Sequence, residues 1–139
     1  MNDGDEIKLS LNSLDSLITQ VELVNADGVV PECMAVFNRW FDTYSTDGKM
    51  LKEHCAKFLR DVTGSKEMPS LEDPRIGGLF STYDKSNQGW LEREGFVGFY
   101  RDCALKPDKK KTVWENLKAM GVRNDLKMVS IFIYISFIY

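Results

Sequence analysis

Residues Thr82–Phe96 read "TYDKSNQGWLEREGF", and the side-chain oxygens in this stretch fall on alternate positions around one glycine. A loop that wraps a hard cation needs oxygens at its positions 1, 3, 5, 7 and 9. It also needs glycine at 6 for the sharp turn and a two-oxygen carboxylate at 12. With Asp84 at position 1, Ser86 falls at 3, Gln88 at 5, Gly89 at 6, the Trp90 carbonyl at 7 and Glu92 at 9. Asp84, Ser86, Gln88, Trp90 and Glu92 are therefore the candidate metal ligands. Position 12 is Gly95, which has no side chain to offer. Glu94, one residue earlier, points about 100° away on a helix that leaves the loop. Two ligand oxygens are lost together, and Ser86 and Gln88 are neutral where tight sites use carboxylates. Gly95→Glu is the change that supplies the missing group.

Upstream, "DTYSTDGKM" offers a second loop, with Gly48 placed 41 residues before Gly89. Placing Gly48 at position 6 puts Thr43 at 1, Ser45 at 3, Asp47 at 5 and His54 at 12, and imidazole is a poor ligand for a hard cation. Starting at Asp42 brings Glu53 to position 12 but moves the glycine out of register. Neither register completes a site.

Helical periodicity surrounds both loops. Met34, Phe37 and Phe41 share a face, with Val36 and Trp40 beside it, and Pro31 suits a first helical turn. Leu51, Cys55, Phe58 and Leu59 form the next face. Asp73 caps a helix begun by Pro74 and carrying Ile76, Leu79, Phe80 and Tyr83. Phe96, Phe99, Tyr100 and Cys103 repeat the spacing. Before these, Leu14, Leu17, Ile18 and Val21 predict an N-terminal helix, ended by "ADGVVP". After them, Val113, Leu117 and Met120 predict a last helix, with Thr112 and Glu115 as capping box and Gly121 beyond its end.

The chain has 139 residues, 43% hydrophobic, with a formal net charge of −3. Neither half is basic enough to indicate nucleic acid by charge. Cys33, Cys55 and Cys103 form no CxxC pair, which excludes a disulfide framework or zinc knuckle and suits a reducing compartment. The acidic start "MNDGDEIKLSLNS" lacks the basic and apolar regions of a secretory signal, so cytoplasm or nucleus is expected. The final eleven residues, "VSIFIYISFIY", are uncharged and far short of the roughly 20 residues that span a bilayer. They read as an apolar tail foreign to the domain, so no membrane contact is expected. The only histidine, His54, adjoins Cys55 and points elsewhere on a helix, and no phosphate loop, HExxH or GxSxG occurs. No enzyme is expected. Trp90 is the tryptophan best exposed by its loop position, and "KPDKKK" at Lys106–Lys111 can touch an acidic partner.

Across residues 31–104, "VFNRWFDTYSTDGKMLKEHCAKFL" and "LFSTYDKSNQGWLEREGFVGFY" resemble the EF-hand family. The match lies in the glycine turns, the apolar position 8 (Met50, Leu91) and the flanking aromatics Phe41, Phe80 and Phe96. The resemblance implies two helix–loop–helix units joined by a short two-stranded contact near Lys49–Leu51 and Trp90–Glu92, persisting without calcium as a scaffold for protein partners. Residues 73–126, "DPRIGGLFSTYDKSNQGW" through "MGVRNDL", also resemble an internal, non-catalytic segment of very large ubiquitin-specific proteases. That resemblance implies a regulatory or partner-binding piece, and nothing here matches the Cys and His boxes of those enzymes.

The expected fold is mainly α: an EF-hand-like pair at 31–104, an N-terminal helical segment at 1–30, a C-terminal helix within 105–128, and the tail at 129–139. The expected function is a calcium-independent protein-interaction module, a regulatory fragment of a larger ubiquitin-pathway protein. It would offer a partner helix a groove lined by Phe37, Phe41, Phe58, Phe80, Phe96 and Phe99, or contact other domains of its parent chain. No cofactor is required. The alternative is a weak calcium sensor or buffer using the second loop.

Overall fold

Proline and aspartate set where the helices begin. In a computed structural model, which describes residues 17–128, Pro31 occupies the first turn of α1 (Pro31–Tyr44). Its fixed φ and missing N–H cost nothing there. Asp73 accepts the Arg75 N–H at the start of α3 (Pro74–Tyr83), again with proline in the first turn. Between them lie β3 (Met50–Leu51) and α2 (Lys52–Thr63). β4 (Trp90–Leu91), α4 (Arg93–Leu105) and α5 (Lys110–Ala119) follow. The described residues are mainly helical.

The two helix–loop–helix units are joined where expected: β3 and β4 pair antiparallel, Met50 opposite Leu91 and Leu51 opposite Trp90. Met50 and Leu91 are fully buried, so the contact seals the base of both loops with apolar side chains. α1 packs on α2 and α4, and α3 lies against α4.

Aromatic rings from both units interlock at the centre. Phe58 of α2 meets Tyr44, Trp40, Phe96 and Tyr100 at centroid distances of 5.2, 5.6, 5.1 and 5.9 Å. The Tyr44, Phe96 and Tyr100 contacts are edge-on, the arrangement the ring quadrupoles prefer. Phe37, Phe41 and Phe96 are at most 1% exposed.

The N-terminal helical expectation is not met in the described residues. Residues 17–23 form no helix, and Val24–Asn25 (β1) pairs with Gly28–Val29 (β2) in a hairpin closed by Ala26 and Asp27. The Asn25 side chain accepts the Asp27 N–H, the local turn chemistry that competes with helix. Leu17 is 82% exposed and Val21 39%, whereas Leu23, outside the predicted stripe, is fully buried. Leu14 lies outside the described residues, as does the tail at 129–139.

The last helix, expected over "KKKTVWENLKAMG" at 109–121, forms within that stretch, but its capping signal does not. Lys109 is the N-cap and Thr112 lies inside α5, so Thr112 and Glu115 form no capping box. α5 ends at Ala119, and the chain then turns, with Val122 bridging to Met128. Asn124 ties this turn to the N-terminal segment: its side-chain Nδ2 donates to Ile18 O at 2.7 Å and its backbone carbonyl accepts the Val21 N–H at 3.0 Å. Leu23, Val113, Trp114, Leu117, Val122 and Leu126 share one core with the residues of 31–104. Among the described residues no helix is long and apolar enough to cross a membrane.

Candidate functional site

The second loop is held by its own first residue. Asp84, at the end of α3, is buried, and its carboxylate accepts the Gln88 N–H at 3.1 Å and the Gly89 N–H at 2.8 Å. Its carbonyl accepts the Asn87 N–H at 3.0 Å. A carboxylate bonded to two backbone donors fixes a tight turn with no ion present. Gln88 reaches Glu92 at a long 3.4 Å, Ser86 and Glu92 are exposed, and Trp90 is half-buried under the Lys49 ammonium, 4.5 Å from its ring centroid. Trp40 and Trp114 are 4% and 5% exposed, so Trp90 is indeed the most accessible tryptophan.

All five candidate ligands line one cavity of about 330 Å³, shared with Tyr83, Glu94, Gly95, Arg101 and Asp102. Lys85 and Arg101 also face it and offset part of the negative charge a cation needs. Among the described residues no three His, Cys, Asp or Glu side chains are grouped as a metal site requires.

Gly95 has a steric reason as well as a chemical consequence. A Cβ at this position would lie 2.8 Å from the backbone oxygen of Tyr83. The first turn of α4 thus rests directly on the last residue of α3. A glutamate at 95 can reach the cavity only after those helices part, a condition the ligand pattern alone does not reveal.

In the first loop, Asp47 and Gly48 both have positive φ, 54° and 75°, between Thr46 and Lys49, which exchange two backbone hydrogen bonds of 3.0 Å. This is the two-residue turn that Asp-Gly favours, closed on itself. Asp42 lies within α1 and pairs with Arg93 at the start of α4. Arg93 also donates to the Asn38 carbonyl and side chain and lies over the Phe41 ring. His54 accepts the Leu51 N–H through Nδ1 at 3.0 Å, the backward half of a capping box.

Two tyrosines outside the candidate ligand set tie each unit across its loop. Tyr44, last in α1, donates to Asp61 of α2 at 2.6 Å, and Tyr83, last in α3, donates to Asp102 of α4 at 2.7 Å. The Tyr44 hydroxyl, with lesser help from Arg60, holds Asp61 below the usual carboxylate range. Burial and then Asp102 push Tyr83 up to about 12, and Tyr44 is raised by burial and then by Asp61. The signal was present: "FLRD" at Phe58–Asp61 and "FYRD" at Phe99–Asp102 stand 41 residues apart, the spacing of Gly48 and Gly89.

The expected groove is filled. Phe37, Phe41, Phe58, Phe80 and Phe96 are buried at 0 to 7% exposure, and Phe99 is half-buried between Tyr83 and Tyr100. α5 lies on α2 and α4, burying Val113, Trp114 and Leu117, and Tyr100 donates to Asn116 at 3.0 Å. β2 packs on α4. Among the described residues the aromatic faces of the four paired helices are packed within the chain, while Leu51 and Leu105 stay exposed.

Burial raises Cys33 to about 12, and burial with Asp73 raises Cys55 to about 11. Both thiols are held protonated, the opposite of an activated nucleophile. No protein family, curated protein or solved structure matches the chain.

Proposed function

We propose that the chain is a calcium-independent interaction module of EF-hand-like design, a regulatory part of a larger ubiquitin-pathway protein. The observation that carries this reading is the closure of the second loop: Asp84 is bonded to Gln88 and Gly89, and Gly95 is pressed against Tyr83. The Tyr44–Asp61 and Tyr83–Asp102 bonds hold paired helices together without a cation. The ubiquitin-pathway assignment rests on the resemblance of residues 73–126 to non-catalytic segments of large ubiquitin-specific proteases. A non-catalytic role agrees with Cys33 and Cys55 being held protonated and with His54 being engaged by backbone.

One observation favours a second reading, a weak calcium buffer: the five candidate residues line a single cavity. Thermal melting in chelator and in millimolar calcium separates the two. The interaction module melts cooperatively in chelator, and calcium leaves its Tm and Trp90 emission unchanged. A cooperative transition that needs calcium, or a saturable calcium response abolished by Asp84→Ala, overturns the first reading.

A further inference from the structure

The "KPDKKK" run takes part in neither loop. It leads into α5, and Pro107, Lys110, Lys111 and Trp114 wall a second cavity of about 470 Å³ together with Gln20 and Lys118. The wall is apolar where Pro107 and the indole form it and cationic where the lysines rise. Glu115 shares it and offsets one charge.

Two features set this wall apart. Trp114 is 5% exposed, and its Nε1 is buried with no hydrogen-bond partner; native structures leave few such donors unmatched. The ten-residue α5 begins at this wall, and Lys109 at its N-cap supplies no side-chain acceptor to the first turn, where N–H groups and the helix dipole favour negative charge. Lys111 is exposed and makes no ion pair among the described residues, while Lys110 pairs at 2.9 Å with Glu22, itself 75% exposed. That exposed carboxylate marks the chemistry these lysines accept.

Resting on the interaction-module reading, we propose that this cavity seats an acidic peptide of a protein partner. An apolar side chain lies on Pro107 and the Trp114 ring, and flanking carboxylates meet Lys110, Lys111 and the first turn of α5. A peptide fits better than nucleic acid, because the chain carries a net charge of −3 and the cavity wall has one ring, with no second platform for stacked bases.

The test uses the full chain in chelator and a fluorescent synthetic peptide of alternating Glu and Leu, with its Gln and Leu counterpart as control. The expected result is saturable binding of the Glu peptide, weakened by salt and by about tenfold or more in Lys110→Glu/Lys111→Glu. Lys85→Glu, the same charge change in the second loop, leaves it intact. Binding shifts the tryptophan emission, and Trp114→Phe removes that shift. Equal binding of the Gln peptide, no loss on charge reversal, or displacement by a single-stranded oligonucleotide at lower concentration overturns the proposal. So does binding that appears only after residues 1–16 are removed, which makes the chain's own start the occupant. If the peptide fails while the chelator melt stays cooperative, this inference alone falls. If the melt needs calcium, the reading beneath it falls.

Discussion

Gly95 gives the sharpest test of how the second unit is closed. Alanine at this position places its Cβ 2.8 Å from the Tyr83 carbonyl oxygen, while carbon and oxygen settle at about 3.3 Å or more. The first turn of α4 must therefore retreat by roughly half an ångström. The obstacle is backbone, and it cannot rotate away as a side-chain tip does. Overpacking of this kind costs about 1–3 kcal/mol, and alanine returns up to about 1 kcal/mol through helix propensity. A net loss of about 1 kcal/mol is expected. Gly77, in the exposed middle of α3, is the internal control, since a Cβ there meets nothing within 4 Å. Gly77→Ala should gain about 0.5–1 kcal/mol. The two variants should differ in Tm by several degrees, at about 4 °C per kcal/mol for a chain of this size. Paired melts by circular dichroism in chelator measure this. If Gly95→Ala melts as high as Gly77→Ala, the contact between Tyr83 and α4 is not what shapes the unit. Gly95→Glu extends the test: it should destabilise in chelator and gain no more than a small calcium response, because ligand entry requires the helices to part.

Tyr44→Phe and Tyr83→Phe should each cost about 1 kcal/mol. Their partners Asp61 and Asp102 are 38% and 42% exposed and recover water. In Tyr44→Phe the Asp61 pKa, read by NMR titration, should rise toward the ordinary value; unchanged melting and titration refute the clamp. Phe58→Ala should cost about 3–5 kcal/mol, whereas half-buried Phe99→Ala should cost less; equal losses in urea unfolding contradict the central position of Phe58. Stability should hold near neutrality and fall in alkali under reducing conditions. Cys33, Cys55 and Tyr83 have raised folded values of about 12, 11 and 12. Their stabilisation is complete below the unfolded values near 8.5 and 10 and is lost as pH climbs between the two. A Tm at pH 10.5 equal to that at pH 7 refutes it.

Much of the helical order was legible because its causes are local. Pro31 and Asp73–Pro74 mark helix starts through chemistry within one turn, and the aromatic spacing of α1 and α4 marks their buried faces wherever those faces end up. The N-terminal segment failed for the same reason in reverse. Leu17, Ile18 and Val21 satisfy the helical period, yet the chain buries Leu23 instead, since an Asn25-Ala26-Asp27-Gly28 turn is available and brings Leu23 and Val30 into backbone contact. The stretch 109–121 was legible as helix, but Thr112 and Glu115 are no capping box, because the first turn forms ahead of them. The Val113 N–H reaches the Lys109 carbonyl, which draws the first turn forward.

The site shows a different limit. Ligand spacing placed Asp84, Ser86, Gln88, Trp90 and Glu92 around one cavity, because alternation along a loop is itself a geometric statement. It could not say whether Asp84 faces an ion or its own backbone, since the same carboxylate serves both. Nor could an apolar face declare its occupant: periodicity finds Phe58 and Phe96 as buried positions, but burial by a partner helix and burial by the chain's own helices leave the same pattern. What distinguishes them lies elsewhere in the chain, in Val113, Trp114 and Leu117, whose own stripe had to find a home. A pair of helix–loop–helix units followed by an amphipathic helix should therefore be read with that helix as the first candidate for the groove. A surface for other proteins is then sought where the covering helix leaves something unmatched, as α5 does at the Trp114 indole and at Lys111.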